Sequence, residues 1–283
     1  MTVGIVGLGL IGGSLAKAFK FNSDYTVLAC DRDEVSYKRA VLVNAVDGKL
    51  CDENIADCDF VFLCLYPTAT VEYMKKNAHL ISRETVVIDC CGVKGSVCPE
   101  LFSLSDKFGF KYIGGHPMAG RQFSGFRYAT EDMFSGACMI LVPREGEEIA
   151  FLEKVKKCLM KAGFSHITVT TAERHDEIIA YTSQLAHVVS NAYVKSPRAE
   201  VHKGFSAGSY RDLTRVAKLS ETMWTELFMH NRENLTAEID CIIKSLTEYR
   251  DALCDGDEEK LCALLREGRE LKERIDEEWK ELE

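Results

Sequence analysis

No uninterrupted apolar run in this chain of 283 residues approaches the roughly 20 residues that a membrane-spanning helix needs. The beginning does not read as a secretory signal either, since glycines interrupt its apolar stretch and Lys17 follows alone. Basic residues are in the minority: 35 Lys and Arg stand against 44 Asp and Glu, a formal charge of −9. That balance argues against a nucleic-acid partner, for which a basic patch is expected. It also requires any anionic ligand to be captured by a local cationic cluster, against the overall field. Twelve cysteines are present, yet none forms a CxxC pair or a Cys/His cluster at zinc spacing, so no metal site is expected. They read as reduced thiols, mostly buried as small apolar groups, which suits a cytoplasmic protein. Serine- and glycine-rich linkers, low-complexity tracts and short repeats are missing as well.

What is present describes an ordinary globular chain with 46% hydrophobic and 28% charged residues, long enough for two domains. Residues 3–6, 26–30, 60–65, 85–89 and 111–114 are short runs that read as strands, and 137–142 and 166–170 extend the same sheet. Amphipathic helical patterns lie between them, for example at 13–21, 68–79 and 147–162. Such alternation predicts an α/β fold, a doubly wound and mostly parallel sheet covered on both faces.

After Thr171 the strand signals stop. A long helical pattern covers 172–195, a loop with Pro197, Gly204 and Gly208 follows, and helices resume from Asp212. The expected division is therefore a sheet domain, 1–171, and an all-helical domain, 172–283. The last segment repeats apolar residues at Leu261, Leu264, Leu271, Ile275, Trp279 and Leu282, near coiled-coil spacing, although Gly268 weakens it. It packs either on its own domain or against a second subunit.

Gly7-Leu8-Gly9-Leu10-Ile11-Gly12 directly follows the first strand and opens the first helix. In this context the first glycine permits a tight turn and the second lets a pyrophosphate approach the backbone. The third lets helix and strand pack closely, with the helix N-terminus facing the phosphates. Asp31 closes the second strand about 20 residues further on, where a carboxylate accepts hydrogen bonds from ribose hydroxyls. That favours NAD; the neighbouring Arg32 keeps NADP open, since it could hold a 2′-phosphate or stack on adenine. Leu65-Tyr66-Pro67 and Asp89-Cys90-Cys91-Gly92-Val93-Lys94-Gly95 end two further strands and should flank the ribose and nicotinamide. Lys94 is the basic residue nearest that edge; it either faces the crevice or sits exposed at a helix start.

Gly114-Gly115-His116-Pro117-Met118-Ala119-Gly120 completes the set. Its glycines read as tight turns, its proline biases His116 toward an extended backbone, and the histidine is placed at a strand end. A rigid imidazole there is positioned for acid–base work; alone, it would be a turn histidine without chemistry.

These segments occur in order with Ser183-Gln184-Leu185-Ala186-His187 and with Gly208-Ser209-Tyr210-Arg211-Asp212-Leu213-Thr214-Arg215, then Met223-Trp224. Over nearly its whole length the chain resembles the prephenate dehydrogenases of tyrosine biosynthesis and their relatives acting on arogenate. The resemblance implies a Rossmann-type domain followed by a helical domain through which two subunits interlock. It implies hydride transfer from prephenate to NAD with loss of CO2, His116 polarising the C4 hydroxyl, and Arg215 binding the ring carboxylate. His187 is implied to face the substrate, although a core histidine is the usual reading on so apolar a face. Gly208 is expected near the substrate through its motif.

Three positions depart from the family pattern. Gly92 stands where many members carry a serine that assists the histidine, leaving water or Cys91 to substitute. Gln184 stands where a histidine is common, and Gln122 where arogenate-specific relatives tend to carry a carboxylate. A neutral Gln122 beside Arg121 favours prephenate, which lacks arogenate's ammonium. Arogenate oxidation, a β-hydroxyacid-type dehydrogenase and a non-catalytic NAD-binding sensor are the alternatives.

Overall fold

The computed structural model describes residues 1–121, 123–202 and 204–280. Its strands are β1 (Thr2–Val6), β2 (Thr26–Cys30), β3 (Gly48–Lys49), β4 (Phe60–Leu63), β5 (Val86–Asp89), β6 (Lys111–Pro117), β7 (Cys138–Val142) and β8 (His166–Val169). Together they form one sheet in the order β3-β2-β1-β4-β5-β6-β7-β8. Every neighbouring pair is parallel except β6 and β7. The order reverses between β1 and β4, the switch point at which such sheets bind their ligands.

Helices α1 (Leu10–Asn22), α2 (Glu34–Leu42), α3 (Pro67–Asn77), α4 (Cys98–Phe108) and α5 (Ile149–Lys161) connect the strands. Successive strand residues point to opposite faces, and here both faces are covered. Phe60 and Phe62 of β4 join Leu15 and Phe19 of α1 and Val155 and Leu159 of α5 in one apolar cluster. Val61 and Leu63 face the other way, onto Met74 of α3 and Leu101 of α4. The expected α/β fold is thus the observed one. The two-residue β3 is an addition, too short to carry a sequence pattern.

After β8 every element among the described residues is helical: α6 (Ala172–Ile179), α7 (Ala186–Tyr193), α8 (Gly208–Thr214), α9 (Glu221–His230), α10 (Arg232–Asp255) and α11 (Glu258–Lys280). The backbone passes from α6 to α7 through a π-helical stretch, Ala180–Leu185. Wide turns of this kind recur at functional sites. Helix resumes at Gly208, ahead of the expected Asp212. By its contacts the chain forms two units, Met1–Arg232 and Glu233–Glu283. Within the second unit, the Tyr249 hydroxyl donates to the Leu264 carbonyl, and Leu246, Leu253, Leu265, Leu271 and Ile275 leave apolar surface exposed.

One local expectation is corrected. Gly114 and Gly115 do not form turns; both lie inside β6, which runs on to Pro117, so that His116 is the penultimate residue at the end of the strand. The first half of β6 pairs with β5 and the second half with β7. A Cβ on Gly115 would lie 2.5 Å from the Asp89 carbonyl oxygen, and one on Gly114 would lie 2.6 Å from Cys98 Sγ. These glycines are there for close approach.

Candidate active site

The glycine loop after β1 separates three tasks. Gly7 adopts φ +94°, and a Cβ there would lie 2.6 Å from the Cys64 carbonyl oxygen. A Cβ on Gly12 would lie 1.9 Å from the Gly7 carbonyl oxygen, so only glycine lets α1 pack onto this turn. At Gly9 nothing lies within 4 Å of a Cβ position. That open cradle faces the start of α1, which has no side-chain cap and no acidic residue in its first turn. An uncapped helix start with free space before it fits a dinucleotide pyrophosphate. Leu10 and Ile11 open the helix half-buried, while Leu8 is buried and its N–H donates to Asp31 Oδ2 at 2.5 Å. The other oxygen of Asp31 accepts from Asp33 N–H, which fixes the carboxylate at the loop; Arg32 is exposed beside it. Leu65 packs its side chain toward Gly7, Tyr66 stands exposed at the N-cap of α3, and Pro67 begins that helix.

The turn after β5 is built differently from expectation. Lys94 is neither exposed nor available to a substrate carboxylate: its side chain is 0% exposed. Its ammonium pairs with Asp89 Oδ1 and donates to the Gly115 carbonyl at 2.7 Å. Burial by itself lowers a lysine pKa, but the Asp89 charge prevails and holds Lys94 above its ordinary value. Asp89 in turn accepts from Cys91 N–H, the Tyr112 hydroxyl at 2.7 Å and Gly115 N–H. Cys91 is corrected as well. Its thiol is buried against Thr70 Oγ1 and the Leu65 carbonyl, pointing into the core, and does not replace the missing serine hydroxyl.

His116 stands beside this turn, near the end of β6. The residue is partly exposed. Burial, the adjoining His175 ring and the Lys94 charge together push its pKa well below 6.5, so the imidazole is neutral at neutral pH. Nδ1 lies 2.8 Å from Nε2 of His175, and His175 Nδ1 lies 2.7 Å from Asp176 Oδ1. Asp176 also accepts from the backbone N–H groups of Lys94 and Gly95 at 2.8 and 2.7 Å. His175 and Asp176 were missed from sequence. Their signal is a His-Asp pair on the same helical stretch as His187, upstream of it.

The helices supply the remaining wall. A Cβ at Gly92 would lie 3.5 Å from Leu227 of α9 and 3.8 Å from His116 Nε2. On the same helix, the Trp224 ring stacks obliquely on His187 with centroids 3.8 Å apart. His187 Nδ1 donates to the Val216 carbonyl at 3.0 Å. Burial foremost, with Arg215 nearby, lowers the His187 pKa against the raising effect of that carbonyl. Arg215 is exposed at the end of α8, and Gly208 begins α8 with open space around it. Gln184, buried in the π-helical stretch, accepts from Asn231, which also donates to the Asp176 carbonyl. Gln122 lies outside the described residues. Among those residues no group of His, Cys, Asp or Glu is arranged to hold a metal ion, and no helix is long and apolar enough to cross a membrane.

The profile of the prephenate dehydrogenase nucleotide-binding domain matches residues 15–168, and that of the prephenate dehydrogenase dimerization domain matches 171–267. A prephenate dehydrogenase of Bacillus subtilis is 26% identical over 97% of this chain and 76% of its own. A cyclohexadienyl dehydrogenase of Zymomonas mobilis is 28% identical over 95% of this chain and 94% of its own. The crystal structure of prephenate dehydrogenase from A. aeolicus, in complex with hydroxyphenyl propionate and NAD+, is 29% identical. It superposes with a TM-score of 0.84, covering 97% of this chain and 98% of that one.

Proposed function

Because the chain belongs to the prephenate dehydrogenase family, we propose that it converts prephenate to 4-hydroxyphenylpyruvate and CO2, with NAD as hydride acceptor, in tyrosine biosynthesis. The observation that carries the residue assignment is His116: a neutral imidazole at a partly exposed position, with Nε2 beside Gly92 in the turn after β5.

NAD, when bound, supplies the hydride acceptor. The cradle at Gly9, the helix start at Leu10 and Ile11, and Asp31 are the groups that would hold it, flanked by Leu8, Arg32 and the Leu65-Tyr66-Pro67 turn. His116 Nε2 accepts the hydrogen bond of the C4 hydroxyl and draws off its proton as hydride leaves that carbon. The ring carboxylate then departs as CO2, and its bonding electron pair aromatises the ring toward a phenolate. The proton returns from His116 to the phenol oxygen, so the imidazole ends as it began. Arg215 pairs with the ring carboxylate in bidentate fashion, and His187 faces the substrate through Nε2. Gly208 lets the substrate approach α8. Trp224 and Leu227 exclude water from the reacting ring.

Prephenate is preferred to arogenate on the strength of Gln122, a neutral residue beside the cationic Arg121. Higher kcat/KM for arogenate than for prephenate would reverse that preference. The dimerization-domain match and the exposed leucines of α10 and α11 support a homodimer formed through a helical domain, 172–283, after a nucleotide-binding domain, 1–171. The scatter of free cysteines supports a cytoplasmic location.

The deciding experiment follows NADH formation from prephenate with wild-type protein and His116→Asn. The asparagine variant should lose roughly 10²–10⁴-fold in kcat. Undiminished turnover would remove His116 from the mechanism.

A further inference from the structure

We propose that His175, held by Asp176, sets the tautomer of His116 and thereby leaves His116 Nε2 as the hydrogen-bond acceptor facing the substrate. The inference rests on the reading of His116 as the group that takes the hydroxyl proton, and adds what makes it able to do so.

The direction of each hydrogen bond follows from its far end. Asp176 Oδ1 accepts from Lys94 N–H at 2.8 Å, and Oδ2 accepts from Gly95 N–H at 2.7 Å. A carboxylate oriented by two backbone donors is an acceptor toward its third neighbour too. That neighbour is His175 Nδ1, at 2.7 Å, which therefore carries a hydrogen. A neutral imidazole protonated on Nδ1 has its lone pair on Nε2. His175 Nε2 lies 2.8 Å from His116 Nδ1, so the hydrogen between them belongs to His116. A neutral His116 protonated on Nδ1 presents an unprotonated Nε2. This nitrogen is the one that faces the space beside Gly92, 3.8 Å from where a Cβ would stand.

The opposite tautomer would present an N–H to the substrate hydroxyl. It could donate to the oxygen but could not receive the proton that must leave it. His175 is buried and has no room to turn away, with 2% of its surface exposed. Asp176 joins this arrangement to the fold. The carboxylate that orients His175 also ties α6 to the turn at Lys94 and Gly95, across 82 and 81 residues of sequence. Docking of α6 and selection of the reactive tautomer are one event. His175 is therefore a positioning residue, with no contact to the reacting atoms of its own.

Two measurements test this. In protein labelled with nitrogen-15 histidine, long-range proton–nitrogen spectra should show His116 with a protonated Nδ1 and an unprotonated Nε2; the reverse pattern overturns the proposal without any substitution. The second compares His175→Gln with His175→Leu. Glutamine keeps the polarity, since its carbonyl can accept from His116 and its amide can donate to Asp176, whereas leucine keeps neither. His175→Leu should lower kcat by roughly 10²–10⁴-fold, the range that wrong-tautomer and lost-base variants span. The KM for NAD should change by less than about 2-fold, and His175→Gln should recover most of the lost kcat. Equal losses in the two variants, or normal turnover in His175→Leu, refute the tautomer role. If His116→Asn is inactive while His175→Leu is normal, only this inference fails; if His116→Asn is active, the proposed mechanism fails first.

Discussion

Gly92 faces His116 closely enough that a Cβ on the glycine would lie 3.8 Å from His116 Nε2, in ordinary contact with the ring. The nearest other atom would be a Leu227 methyl at 3.5 Å, so the position has room for a small side chain. Its backbone is not among those with positive φ. Gly92→Ser should therefore fold normally and bring a hydroxyl within reach of the imidazole. The expected result is an unchanged melting temperature and a kcat with prephenate at least equal to that of wild type. A kcat loss beyond about 100-fold, the low end of what general acid–base catalysis contributes, would mean the added hydroxyl competes for Nε2.

Lys94 and Asp89 are each fully buried and paired, and Gly115 and Tyr112 complete their hydrogen bonds. Lys94→Met strands the Asp89 charge and should cost about 3–5 kcal/mol of stability. Lys94→Met combined with Asp89→Asn should regain part of this. Chemical denaturation checks both. A rise in prephenate KM with stability intact would instead restore Lys94 as a substrate cation.

Acidification should weaken the fold through its histidines. His116 is held below 6.5 by burial, His175 and Lys94, and His187 is lowered chiefly by burial. The unfolded chain therefore binds more protons than the folded one below that value. Stability is fully present above pH 6.5 and falls as pH drops through it. Melting temperatures between pH 8 and 5 should fall more steeply for wild type than for His116→Asn. Parallel curves would show that His116 does not contribute. The charged or titratable groups acting on it are His175 from α6 and Lys94 from the turn, which are themselves held by Asp176 and Asp89.

Asp31 accepts from Leu8 N–H and Asp33 N–H just after β2, and is the carboxylate proposed to receive ribose hydroxyls. Asp31→Asn should raise the KM for NAD by roughly 10–100-fold, the equivalent of one charge-assisted hydrogen bond. With Arg32 left unopposed, relative use of NADP should increase. Steady-state kinetics with both dinucleotides decides it, and an unaltered NAD KM would exclude Asp31 from cofactor recognition.

What the sequence determined by itself is local in origin. The strands come from short apolar runs, the glycine loop from its spacing between strand and helix, and the family from several motifs in fixed order. Each depends on neighbours within a few residues, so composition and period are enough. Tertiary structure decided which groups meet. Lys94 looked like an available cation, and only the fold shows Asp89 and the Gly115 carbonyl closed around it. Gly114 and Gly115 looked like turn residues, and only sheet pairing shows them yielding space to Asp89 and Cys98. His116 and His175 are 59 residues apart, and no spacing announces that their rings touch. Charge pairing and proton placement depend on a few ångströms between distant segments, a distance that is set when α6 packs onto the turn after β5.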